Sequence, residues 1–430
     1  MRSRIAIGLA LLTACATSPG VVAAAASSTT SSVIAAPGST IDTIGVGAAV
    51  DLDGFLAELD MTHPAPFHGI SREDFVGALD GLKAGIDQMS PASALVETMR
   101  LTALLSRQGR DGHQFAIPHE EAEGPILPFR IFEFDDGVFI TDALETALVG
   151  ARLVAIAGHP IADVLAAVEP LVPRDGPATV PSFRPFFTLR AQVLEGLGML
   201  SAGPVGISLE RAGTIETASV EPISFEDFQE WGGAGGFTFL PESDILRYRL
   251  PRDDTFWTEN LADGVLYARY SSVTPVGTGQ AEEFLGRAAS SEKVVLDLRH
   301  NPGGDNHNYG PLLAALQDDS VDRIGRLFVL TDRVTFSAAS NLATEVEQTT
   351  DALFVGEAMG GGLNFWDDVK FYPMPHLPVP MRIGISTRYW EMSTPDDPRL
   401  TIAPDIAVPS VSSDYFSGRD TVLEAALAAG

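Results

Sequence analysis

A serine at position 337 follows the apolar stretch Leu327 to Leu330. It opens a segment with Ala339, Leu342, Ala343 and Val346 at helical spacing. A hydroxyl in the first turn of a helix, straight after a buried strand, is placed to act as a nucleophile. Backbone N–H groups there have no intrahelical partner, and the helix dipole favours a developing negative charge. The plainer reading is an N-cap, a position for which serine is among the preferred residues. A second segment, Asp297-Leu298-Arg299-His300-Asn301-Pro302-Gly303-Gly304, also follows an apolar run. Its paired glycines would let the backbone approach a reacting group and expose an N–H. That suits an oxyanion hole in which Gly303 or Gly304 is one donor and Ala338 N–H the other. A simple turn before a helix is the alternative.

A nucleophilic serine needs a base that titrates near neutrality, and histidine is the usual one. Of the eight histidines, His63 and His159 precede proline in turn-like sequence and read as structural. His119 and His376 sit in loops without an evident orienting neighbour. His300 and His307 flank the glycine pair and could line a site. His113, in Arg110-Asp111-Gly112-His113, follows an acid and a glycine at the end of a helical stretch.

These pieces need a scaffold. Residues 51–119 read as a helical segment carrying His113. Phe55, Leu56 and Leu59 mark one face, Phe75, Leu79 and Leu82 another, and Ser90-Pro91 starts a third helix. Residues 120–225 read as a β-rich module. Its strands are at 131–134, 138–140, 152–156, 205–209 and 216–220, its helix spans 161–171, and a loose insertion lies around 172–204. Residues 226–261 read as a linker, with a loop at the glycine run starting at Gly232. Residues 262–430 alternate strands and helices, which implies a largely parallel sheet covered on both faces.

In this order, the motifs resemble the C-terminal processing (tail-specific) serine peptidases, including the core of the tricorn protease. The match rests on Asp111-Gly112-His113, Asp297 to Gly304, Thr335-Phe336-Ser337-Ala338, Val355-Gly356-Glu357, Thr401 to Asp405 and Gly418 to Leu423, and covers roughly residues 50–425. The resemblance implies an α/β fold with a ClpP/crotonase-like catalytic domain behind a helical segment and a PDZ-like module. It implies Ser337 as nucleophile and Ala338 with Gly303 or Gly304 as oxyanion donors. One version of the family pairs serine with a lysine shortly after the Gly-Glu element, but here that place holds Gly360, Gly361 and Gly362. The three lysines, Lys83, Lys293 and Lys370, lie elsewhere. The tricorn-like version uses histidine, which His113 matches. Its supporting serine is replaced by Gly112, and its late acid aligns with none of Glu391, Asp396 and Asp397 cleanly. Asp111 is a further choice of orienting acid. No cofactor or metal is implied. The substrate expected is a peptide or an unfolded protein, with homo-oligomers found among relatives. The alternative is a weak or inactive relative that binds an apolar ligand or a peptide tail.

The chain has 430 residues, 45% of them hydrophobic and 20% charged, with a net charge of −29. That is a globular composition, and its acidity lacks the footprint of a nucleic-acid binder. One cysteine excludes an internal disulfide and a cysteine-based metal cluster. Arg2, Arg4 and the apolar run Ile5 to Leu12 read as an export signal within residues 1–26. Leu12-Thr13-Ala14-Cys15 resembles a lipobox, with Cys15 acylated and the protein anchored in a bacterial cell envelope. Cleavage near Val22 to Ala26, giving a soluble periplasmic or secreted protein, is the alternative. Residues 27–50 read as a flexible tether.

Overall fold

The computed structural model describes residues 41–232 and 240–429. The export signal, Cys15, most of the tether and the glycine run beyond Gly232 lie outside the described residues. The tether is shorter than its composition suggests, because a helix already begins at Ile41 and runs to Thr62. Ala48, Leu52, Phe55 and Leu59 recur at helical spacing along it, and all four are fully buried. Helices Arg72–Gly85 and Pro91–Ala103 complete the N-terminal segment. Ser71 and Ser90 cap them by accepting the N–H of Asp74 and Ser93, and Pro91 stands first in its helix.

The β-rich module is an antiparallel sheet in the order Phe129–Phe134, Gly137–Ala143, Arg152–Ile156, Val205–Arg211 and Thr214–Val220. Its last hairpin turns through Ala212 and Gly213, both at positive φ, as a two-residue turn between twisted strands requires. The insertion at 172–204 is not loose. It forms helices Thr179–Thr188 and Ala191–Gly196, whose Phe183, Phe187, Val193 and Leu194 join the main core. The 226–261 stretch is more than a linker. It carries the end of helix Phe225–Gly232 and the edge strand Phe256–Asn260, which pairs antiparallel with Val265–Tyr270.

The mostly parallel sheet runs Ile406–Ala407, Leu353–Gly356, Leu327–Thr331, Lys293–Asp297, Val265–Tyr270, Phe256–Asn260, and all but the last of these strands are parallel. Alternate residues serve opposite faces. Leu266, Ala268, Val294, Leu296 and Val329 pack under helices Thr278–Ala289, Gly310–Leu316 and Ala338–Thr349. Tyr267, Val295, Phe328 and Leu330 pack under the last helix, Thr421–Ala428, through Leu423 and Ala426. Both faces are covered, as an apolar parallel sheet demands.

Two small antiparallel sheets follow, and the first ties the N-terminal segment to the C-terminal half. Ala116–Pro118 adds to Met381–Ile385, which also pairs with Lys370–Met374. Asn364–Asp367 pairs with Arg388–Glu391. The register of the first puts Ala116 opposite Ile383, and Gly384 N–H donates to Phe115 O at 2.9 Å. This fixes the chain two residues beyond His113 against a C-terminal strand.

Candidate active site

Ser337 sits between the end of strand Leu327–Thr331 and helix Ala338–Thr349, with φ 53° and ψ −130°. Such a backbone costs a non-glycine residue about 1–3 kcal/mol and persists only where its surroundings over-determine it. Here they do. Phe336 N–H donates to Asn301 O (3.0 Å), Thr335 Oγ1 to Leu298 O (2.9 Å), and Thr335 N–H to Asp332 Oδ1 (3.1 Å). On the helix side, Ser340 and Asn341 N–H both donate to Ser337 O. The Ser337 side chain makes no capping hydrogen bond. Its Oγ donates instead to Asp367 Oδ2 at 3.2 Å. The plain N-cap reading therefore does not describe this serine.

The glycine pair is needed for close approach. A Cβ on Gly303 would stand 2.6 Å from Ser337 Cβ and 3.0 Å from Ala338 N, while one on Gly304 would stand 2.3 Å from Val273 O. Gly303 N–H is donated to Asn301 Oδ1 (2.9 Å). The loop thus lays Gly303 against the serine, and neither Gly304 N–H nor Ala338 N–H is taken up within the described residues.

His113 reaches this point from the N-terminal segment. Its ring stacks on Phe336 (centroids 4.5 Å apart) and Phe365 (5.5 Å), and its Nε2 lies 3.4 Å from Asp367 Oδ2. One carboxylate oxygen therefore touches both the serine hydroxyl and the imidazole. Ser337, His113 and Asp367 are 4%, 5% and 2% exposed, so the group is closed from water.

Asp111 holds the His113 loop from behind. Its Oδ1 accepts from Ser386 Oγ (2.7 Å), and its Oδ2 accepts from His63 Nε2 (3.1 Å), His68 Nε2 (3.3 Å) and Gln114 Nε2. Burial opposes ionisation, but the hydrogen bonds from His63 and His68 outweigh it and hold this carboxyl below its ordinary value. His63, His68 and Asp111 have ligand atoms close enough together to hold a metal ion. The tautomer of His63 argues for a proton network instead. Its Nδ1 accepts Ala65 N–H at 3.0 Å, so the neutral ring carries its proton on Nε2 and donates it to Asp111.

The other residues singled out in the sequence go elsewhere. Asp397 accepts from Ser393 and Arg399, and Arg399 holds it well below the usual carboxylate range. Glu391 is exposed and stands opposite Asn364 in a strand pair. His300 pairs with Asp332 and lines a cavity with Phe132, Tyr248 and Arg299. His307 is exposed and pairs with Asp305. His376 does have an orienting neighbour, since its Nδ1 lies 2.9 Å from Asp51 Oδ1. The carboxylate that meets His113 is Asp367, which the sequence reading missed. Its only signal is an acid in the apolar stretch Leu363-Asn364-Phe365-Trp366-Asp367, soon after the Gly360–Gly362 run.

No protein-family model matches the chain, and no curated protein matches its sequence. Solved structures do. A mutant of CPAF superposes with a TM-score of 0.59 at 14% identity, covering 90% of this chain and 99% of that one. Mature CPAF complexed with lactacystin gives 0.57 at 14% identity, covering 89% and 98%. The chain thus shares the fold of CPAF over about nine-tenths of its length.

Proposed function

We propose that this chain is an exported serine peptidase that cleaves peptide bonds through an acyl-enzyme on Ser337, with His113 as general base. One observation carries the reading. A strained serine at a helix start leaves its cap unmade and shares one carboxylate oxygen with an imidazole. The fold of the C-terminal processing proteases supports it.

In the proposed reaction a scissile carbonyl enters beside Ser337, and Oγ gives up its bond to Asp367. Oγ attacks the carbonyl carbon while its proton passes to His113 Nε2. The carbonyl oxygen takes the negative charge and settles on Ala338 N–H and Gly304 N–H. Each such donor lowers the barrier by about 3–4 kcal/mol. Asp367 then faces the imidazolium. His113 returns the proton to the leaving nitrogen as the C–N bond breaks. Water hydrolyses the ester, its proton passing through His113 back to Ser337 Oγ. The closed site suits an extended or unfolded chain, and the β-rich module, read as PDZ-like, would hold its end by strand addition.

The enclosure also favours a second reading, a weak or inactive relative that binds an apolar ligand or a peptide tail. A fluorophosphonate probe with a labelled unfolded protein as substrate separates the two. The enzyme reading expects labelling at Ser337 and hydrolysis, with both lost in Ser337→Ala and hydrolysis lost in His113→Ala. Full hydrolysis by Ser337→Ala would show the nucleophile to be wrongly assigned. No labelling together with tight peptide binding would establish the binder. Export and an acyl anchor on Cys15 are part of the proposal. Incorporation of labelled palmitate that disappears in Cys15→Ala tests the anchor.

A further inference from the structure

The peptidase reading leaves open what orders the base loop against the nucleophile loop. The inserted segment of the β-rich module supplies a side chain between them. Asp175 is completely buried. Its Oδ1 accepts Gly112 N–H at 2.5 Å, one residue before His113. Its Oδ2 accepts Gly362 N–H at 3.3 Å, in the glycine run behind the nucleophile helix. Its backbone carbonyl accepts Arg110 N–H at 2.8 Å. Thr179 completes the clasp, since its Oγ1 accepts Asp175 N–H and donates to Gly360 O.

The glycines are explained by the same residue. A Cβ on Gly112 would stand 3.0 Å from both Asp175 N and Asp175 Oδ1. A Cβ on Gly361 would stand 2.2 Å from Ser340 Oγ in the nucleophile helix. The glycine run therefore packs against that helix while Asp175 ties it to the base loop. A side chain at position 112 would crowd this carboxylate.

We infer that Asp175 is a positioning residue for acyl transfer: it locks the His113 loop to the loop behind Ser337 and provides the negative charge that balances the imidazolium. This rests on the peptidase reading. Burial raises the Asp175 carboxyl to about 6, with the charge of His113 opposing the rise and that of Asp111 adding to it. Through Gly112 N–H the carboxylate is held one residue from the imidazole whose charge changes in the proposed reaction.

The test compares wild type with Asp175→Asn in the full chain, using a labelled unfolded protein and the fluorophosphonate probe. Asparagine keeps the shape but removes the charge. The expected result is a kcat lower by about tenfold or more with KM within about twofold, the signature of an interaction made mainly in the transition state. The acid limb of the kcat profile should also move to lower pH, because the imidazolium has lost a negative neighbour. A purely structural role would leave that limb in place. Wild-type kcat with an unmoved limb overturns the inference. If Asp175→Asn does not fold, Gly112→Ala tests the contact from the other side. It should lower kcat at unchanged KM, and wild-type kcat there also overturns the inference. A wild-type chain that neither labels nor hydrolyses overturns the peptidase reading and this one together. Labelling and hydrolysis by wild type, matched by the variants, overturn this one alone.

Discussion

Gly303→Ala puts one methyl group into the tightest contact of the proposed site. Its Cβ would meet Ser337 Cβ at 2.6 Å, Phe336 O at 2.9 Å and Ala338 N at 3.0 Å, at φ +107°. Carbon atoms rest at about 3.5–4.0 Å, so the serine and the glycine loop must part by about 1 Å. A displacement of that size at a reacting atom costs roughly 100-fold in rate, or about 2.7 kcal/mol of barrier. The positive φ adds a stability cost of about 1–3 kcal/mol. The assay is kcat on a labelled unfolded protein, with the melting temperature measured alongside. Gly286→Ala serves as control. That glycine lies in helix Thr278–Ala289 with nothing within 4 Å of a new Cβ, so alanine there should stabilise by about 0.5–1 kcal/mol and leave kcat alone. If Gly303→Ala keeps kcat within twofold of wild type, the nucleophile is not where this loop places it.

Other perturbations separate the carboxylates. Asp367→Asn keeps the shape at Ser337 but removes the charge facing His113, so kcat should fall by about tenfold or more with the melting temperature nearly unchanged. Asp111→Asn should destabilise by about 1.5–3 kcal/mol, since hydrogen bonds from His63, His68 and Ser386 lose their charged acceptor. The lowered Asp111 carboxyl gives stability that is present above pH ~4 and lost as pH falls through its folded value, so this variant should lose part of the acid-side decline in a denaturant titration. Asp175 has the opposite sign. Its raised carboxyl stabilises the fold below pH ~4 and loses that contribution as pH rises through about 6, so Asp175→Asn should flatten the fall in stability over that interval.

Several strands were legible because an apolar run stands out from its flanks. Arg152–Ile156 falls where the sequence placed it, and Leu327–Thr331 extends the apolar run Leu327 to Leu330 by one residue. The strand-to-helix step at Ser337 was legible for the same reason. The pairings at 364–391 were not. Asn364–Asp367 and Arg388–Glu391 have four residues each, and Trp366 packs against His63 and Tyr389 rather than in a repeating stripe. Asp367 was missed with them, since its role depends on a partner strand more than twenty residues away. The inserted segment was missed for another reason. Pro181 and Pro185 lie in or beside its first turns and disguise helix Thr179–Thr188, so Asp175 looked like part of a loop. His63 was read as structural, and the structure adds what it supports, the carboxylate two residues before His113.

The buried and half-buried acids divide by what surrounds them. Asp111, Asp332 and Asp420 all pay desolvation, yet hydrogen bonds or opposite charges from His63 and His68, His300 and Arg299 hold their carboxyls below the ordinary range. Each is fixed as an anion and braces a loop. Asp175 and Asp368 are raised instead, and in both cases burial is the larger cause and the charge of His113 opposes it. No arginine or lysine offsets the burial of Asp175; for Asp368 the charge of Asp367 adds to the rise, and Arg388 only partly counters it. A scaffold selected for stability alone would place cations beside such groups, as it does at Asp420. Leaving Asp175 without one costs stability in the resting state, a cost that an imidazolium at His113 would offset in the proposed reaction. The His63–Asp111–His68 cluster differs, because its donors hold the Asp111 carboxyl low whereas burial keeps that of Asp175 raised.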